Sequence, residues 1–133
     1  MLKKVIFGVL VLQVFLFAEF KHIDAKQMLE LHKNGAPLID IRTPAEWDET
    51  GVIPGSTKIM FFDQNGNYNI KKFMSEFTKV VKDTNQSFVL ICRSANRTKT
   101  VGNFLDKELG YKLTNDFEGG ISRWIEEGRK TVK

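Results

Sequence analysis

Cys92 is the sole cysteine of this 133-residue chain, and the residues around it suit a sulfur that works as an anion. It closes the apolar run Phe88-Val89-Leu90-Ile91 and is followed by Arg93-Ser94-Ala95-Asn96-Arg97-Thr98, after which an amphipathic stretch with helical spacing begins. A strand that enters a short loop and then a helix aims backbone N–H groups and the positive helix end at whatever the loop encloses. With Arg93 and Arg97 nearby, a thiol there is biased toward the thiolate, the nucleophilic form. The bland alternative is a small buried hydrophobe ending a strand. Such a residue has no use for cationic neighbours.

Several elements must position that loop. Phe20–Ile23 reads as a first strand, and Asp24 with Gln27 forms a capping-box pattern. Ala25, Met28, Leu29 and His32 then share a helical face that ends at Gly35. Pro37–Ile41 is a second strand, and Thr43-Pro44-Ala45-Glu46 a strong helix start. Thr57–Phe61 is a third strand. The oxygen-rich loop from Asp63 to Asn69 has its glycine misplaced for a calcium loop, and Met74 stands where a bidentate Glu is needed, so a turn with Asn69 as helix cap is expected. Ile70, Phe73, Met74, Phe77, Val80 and Val81 keep the spacing of a buried helix face.

Phe88–Cys92 is the fourth strand, apolar throughout as suits a strand covered on both sides. The next helix buries Val101, Phe104, Leu105 and Leu109 before Gly110, Tyr111–Asn115 forms a fifth strand, and Ile121, Trp124 and Ile125 mark a last helix. The fold class is therefore α/β: a mostly parallel five-stranded sheet with helices on both faces. Sites in such sheets lie at the carboxyl ends of strands, where both Cys92 and Asp40-Ile41-Arg42 stand. His22 and His32 have no partner nearby in sequence and read as structural or solvent-facing.

The first residues do not belong to that domain. Met1-Leu2-Lys3-Lys4 is basic and Val5–Phe17 is almost wholly apolar, the layout of a secretory signal peptide over residues 1–18. An uncleaved N-terminal membrane anchor is the competitor. Export, with a periplasmic location, is the expectation, and residues 19–133 then form one compact domain. Half of the formal net charge of +4 lies on Lys3 and Lys4. The rest of the chain gives no basic block with interleaved aromatics, so nucleic acid is not an expected partner. One cysteine makes no internal disulfide and offers no resolving thiol, which tells against a dithiol oxidoreductase.

Four segments resemble the rhodanese-like sulfurtransferase family, in the family's order: Leu38–Trp47, Gly51–Ser56, Cys92–Arg97, and Phe117–Trp124 with its Gly119-Gly120 pair. The likeness spans about residues 20–130 and implies that Cys92 carries a persulfide, taking sulfane sulfur from thiosulfate or a related small anion and passing it to a thiophilic acceptor, a thiol or a protein. Backbone N–H groups from Arg93 to Thr98 would cradle that sulfur with no metal and no organic cofactor. Arg93 and Arg97 would attract the anionic donor and stabilise the leaving sulfite. Asp40 and Arg42 match the family's Asp-x-Arg element, with Asp40 expected to hold the loop or one of its arginines. Two positions depart from the family: Val52 stands where His is frequent, and Ala95 where Gly is frequent. A cysteine phosphatase needs Arg six positions after its Cys, and here Thr98 stands there with Arg97 one too early. A sulfur carrier that turns over only with a partner also needs Cys92 and stays open.

Overall fold

The computed structural model of the protein describes residues 20–133, so the expected leader lies outside the described residues. In chain order the elements are β1 (Lys21–Ile23), α1 (Ala25–Lys33), β2 (Leu38–Asp40), α2 (Pro44–Thr50), β3 (Ser56–Lys58), α3 (Ile70–Val80), β4 (Phe88–Ile91), α4 (Asn96–Asn103), a π-helical turn (Phe104–Glu108), β5 (Thr114–Phe117) and α5 (Gly120–Glu126). The strands form one sheet in the order β1-β5-β4-β2-β3, and every pairing is parallel. Strand order reverses around β4, where the carboxyl ends of β2, β4 and β5 lie side by side.

Alternation along the strands sorts the core into two layers. Phe88 and Leu90 of β4, with Ile39 and Ile41 around β2, face Phe73 and Phe77 of α3, Val101 of α4 and Leu105. Val89, Ile91 and Leu38 face the other way, against Met28 of α1 and Ile121 and Trp124 of α5. Helices therefore cover both faces. On the first side, Phe77 sits edge-on to both Phe88 and Tyr111, at ring separations of 5.0 and 5.1 Å. Both expected capping boxes form, Asp24 with Gln27 and Thr43 with Glu46, and Asn69 caps α3.

The boundaries differ in places. Ile70, Leu29 and Leu109, expected on buried faces, are more than a third exposed. The fifth strand begins at Thr114, three residues after the expected start. Tyr111 instead packs into the aromatic cluster, and the Thr114 hydroxyl donates to the Tyr111 carbonyl at 3.0 Å, closing the turn before β5. Among the described residues no helix is long and apolar enough to cross a membrane.

Candidate active site

Cys92 directly follows β4 and is buried, 1% exposed. The chain turns at once: Arg93 and Ser94 are exposed, and Ala95 adopts a left-handed conformation, φ 73° and ψ 10°, before α4 starts at Asn96. That turn folds the Ala95 N–H back onto Cys92 Sγ at 3.1 Å. Among the described residues it is the one amide of the expected cradle that bonds the sulfur. The other contact comes from a side chain. Thr98, fully buried one turn into α4, places Oγ1 3.6 Å from Sγ.

The loop is held from two sides. From below, the start of α5 closes on it: the Ile121 N–H donates to the Cys92 carbonyl at 2.9 Å and the Ser122 N–H to the Arg93 carbonyl at 3.0 Å. Gly120 makes this approach possible, because a Cβ on it would lie 2.4 Å from the Cys92 carbonyl oxygen and 2.5 Å from that of Arg93. From above, Arg97 makes a bidentate pair with Glu46 of α2, both bonds at 2.7 Å. These bonds hold the Glu46 carboxyl at about 2, below its usual 4.5, with the Thr43 cap adding to the effect against the opposing pull of burial. Arg97 is shifted up, chiefly by its bonds to Glu46, and negative charge on Cys92 adds to the shift. The Arg97 guanidinium is thus electrically coupled to the sulfur.

Asp40 does not hold the loop, which corrects the expectation for it. Its carboxylate is buried and takes Arg42 Nε at 3.0 Å, Arg42 Nη2 at 2.8 Å and Trp47 Nε1 at 3.0 Å. Arg42, 1% exposed, completes its bonds with Thr50 Oγ1 and the Gly51 carbonyl, each at 2.9 Å. The Asp-x-Arg element therefore builds the platform under α2, and the helix-start carboxylate Glu46 reaches the loop. No sequence spacing told which acid faced Arg97. Arg93 and Asn96 are exposed, and the Arg93 guanidinium makes no hydrogen bond or ion pair among the described residues. Val52 is buried and pairs through its backbone with Val132.

His22 is partly solvent-facing, as its sequence reading has it, and gains a partner distant in sequence. Cross-strand pairing sets it beside Asp116, and Nδ1–H donates to Asp116 Oδ1 at 2.5 Å. Asp116 is fully buried, and its Oδ2 accepts the Thr98 hydroxyl at 2.8 Å. Lys99 Nζ stands 3.7 Å from the same oxygen and 3.5 Å from Glu118. His22, Asp116 and Glu118 are spaced as a metal could use them, and the Lys99 ammonium stands within 4 Å of both carboxylates. Neither His22 nor Asp116 was readable as part of the site, since parallel pairing of the first and last strands brings together residues 94 positions apart.

Residues 24–127 match the model of the Rhodanese-like domain. A thiosulfate sulfurtransferase, GlpE, of Pseudomonas syringae is 27% identical over 106 residues, covering 80% of this chain and 88% of that protein. An uncharacterised protein of Rickettsia prowazekii is 30% identical over 102 residues, covering 71% of this chain and 79% of its own length. The crystal structure of a rhodanese-related protein of Thermoplasma volcanium superposes with a TM-score of 0.63 at 27% identity, covering 85% of this chain and 98% of that one. Order of strands, the cysteine loop and the matched span agree, and the chain belongs to the rhodanese-like domain family.

Proposed function

We propose that the protein is a sulfurtransferase in which the Cys92 thiolate takes sulfane sulfur from thiosulfate or a related small anion. The observation that carries this reading is the short Ala95 N–H to Sγ contact in a loop pinned by α5 and by Glu46–Arg97. Such a loop gives an anionic sulfur a fixed donor and a cationic surround. In the first half-reaction the thiolate attacks the outer sulfur of the donor. A new S–S bond forms on Cys92, and the old one breaks with its electron pair leaving on sulfite. In the second, a thiophilic acceptor attacks the outer sulfur and the Cys92 thiolate departs.

The arginines divide the remaining work. Arg97 is committed to Glu46 and acts on the sulfur through space, whereas the exposed Arg93 guanidinium is placed to draw in an anion. Thr98 offers a hydroxyl, not a guanidinium, at the place where a phosphatase clamps its phosphoryl group, which favours sulfur transfer. The leader reading of residues 1–18 puts this chemistry outside the cytoplasm.

Intact-mass analysis after thiosulfate treatment tests the reading. A gain of one sulfur, reversed by cyanide and missing in Cys92→Ser, is expected. A mass unchanged by thiosulfate would remove this donor, and a stable persulfide that cyanide does not discharge would identify a carrier that needs its partner.

A further inference from the structure

We propose that Asp116 receives the Cys92 proton through the Thr98 hydroxyl, so that the thiolate is produced by a relay inside the fold. Four groups stand in line. Cys92 Sγ is 3.6 Å from Thr98 Oγ1, Thr98 Oγ1 is 2.8 Å from Asp116 Oδ2, and Asp116 Oδ1 is 2.5 Å from His22 Nδ1. Three of the four side chains are buried, Cys92 to 1% exposed and Thr98 and Asp116 completely.

The line can run in two directions. In the thiol state S–H donates to Thr98 Oγ1, and the Thr98 hydroxyl donates to the Asp116 carboxylate. In the thiolate state the sulfur proton has passed to Oγ1 and the former hydroxyl proton to Oδ2. Asp116 then donates to Thr98, and Thr98 donates to the sulfur anion. Two protons move, each along one hydrogen bond with the S···O pair closing up from its resting 3.6 Å, and the summed charge of the buried set is unchanged. Releasing the proton to water instead leaves two buried anions, S⁻ and the Asp116 carboxylate, competing for one hydroxyl proton. The internal transfer avoids that arrangement.

The surroundings keep Oδ2 aimed at Thr98. His22 on β1 fixes the other carboxylate oxygen, and the Phe20 ring lies edge-on to His22 at 4.7 Å. The other charges facing this set are Lys99 on α4 beside Asp116, Glu118 after β5 beside both Lys99 and His22, Arg97 on α4 coupled to the sulfur, and Arg93 on the loop. Asp116 and Thr98 are positioning and proton-handling residues; Cys92 remains the nucleophile. The inference rests on Cys92 as that nucleophile, but it is measured on the thiol without any sulfur donor, so its failure leaves the transfer reading standing.

The experiment is the pH dependence of Cys92 alkylation by iodoacetamide in the full chain, with the thiolate's ultraviolet absorbance followed in parallel. A simple thiol loses about tenfold in rate for each pH unit below its titration. The relay predicts a plateau on the acid side instead, because the internal transfer takes no proton from water. Asp116→Asn and Thr98→Val should abolish the plateau and slow acid-side alkylation about tenfold or more, while Thr98→Ser keeps it. Thermal unfolding shows which variants are folded, and Thr98→Val tests the relay if Asp116→Asn does not fold. His22→Asn keeps a donor toward Oδ1 without titrating, and retention of the plateau there assigns it to Asp116. A wild-type profile with no plateau overturns the proposal. So does faster alkylation in Asp116→Asn, the result expected if Asp116 is only an opposing negative charge.

Discussion

At the scale of single residues, the site rests on one strained backbone and one displaced carboxylate. Ala95 is the only described non-glycine residue with positive φ, and its Cβ is carried in a left-handed conformation that disfavours L side chains. That conformation, and not the strain it carries, turns the Ala95 amide onto the sulfur. Ala95→Gly should therefore raise stability by about 1 kcal/mol, less the added freedom of the unfolded chain, and leave sulfur transfer intact or improved. Denaturant unfolding and thiosulfate turnover check both halves; a large loss of turnover would mean that the Cβ itself shapes the pocket. Glu46 yields a pH prediction. A carboxylate whose folded value lies below its unfolded one stabilises in full above the unfolded value, and loses that contribution as pH falls toward the folded value. For Glu46 the window runs from 4.5 down to about 2. The stability gap between wild type and Glu46→Gln should be widest above this window and close across it, as read by chemical denaturation at stepped pH. A gap that stays constant with pH would assign the loss to packing and not to the charge held by Arg97.

At the scale of elements, the loop is only as fixed as the start of α5. Gly119 and Gly120 both have positive φ, yet they face different neighbours. A Cβ on Gly119 would meet the side chain of Arg123, which can move, whereas on Gly120 it would meet the backbone of Cys92 and Arg93. Gly120→Ala should cost about 2–4 kcal/mol and depress Cys92 reactivity, against about 1 kcal/mol for Gly119→Ala. Thermal unfolding of the pair with Cys92 alkylation separates the two, and equal costs would show that φ alone is at stake. The same region shows what could be read in advance and what could not. β4 was legible because Phe88-Val89-Leu90-Ile91 is apolar on both faces, and α2 because Thr43, Pro44 and Glu46 form a cap with a known geometry. The bounds of β5 were not: the expected strand Tyr111–Asn115 overlaps it only at Thr114 and Asn115, and Thr114-Asn115-Asp116-Phe117 is buried at every position although three of the four are polar. Those residues are tolerated inside because each finds a specific partner, Asn115 on the Phe88 and Leu113 carbonyls, Asp116 on Thr98 and His22. Hydrophobic periodicity carries no trace of a partner distant in sequence. The cysteine loop was therefore found from its own residues, while Glu46, Asp116 and His22 needed the assembled sheet.

At the scale of the whole molecule, the two supports of the loop are joined to each other by the last residues of the chain. Trp124 of α5 donates Nε1–H to the Lys130 carbonyl at 2.8 Å, and Arg129 lies over the same ring at 5.2 Å from its centroid. Two residues on, Val132 exchanges backbone bonds with Val52 at 2.7 and 2.9 Å, and Thr131 Oγ1 donates to the Thr50 carbonyl at 2.8 Å. Thr50 and Gly51 in turn accept from Arg42, which holds Asp40 at the end of β2. A continuous path thus runs from α5, which grips the loop through Gly120, around to α2, which grips it through Glu46. Val52 contributes to this path through its main chain. If the path matters, deleting residues 130–133 should do more than fray an end. Loss of these bonds, each worth about 1 kcal/mol net, less the ordering entropy recovered, predicts a cost of about 2 kcal/mol. Amide hydrogen exchange followed by mass spectrometry should then quicken in residues 44–52 and in the loop 93–98, while α3 on the opposite face of the sheet keeps its protection. Faster exchange confined to the residues next to the cut would show that the two supports stand independently, each anchored by the sheet alone.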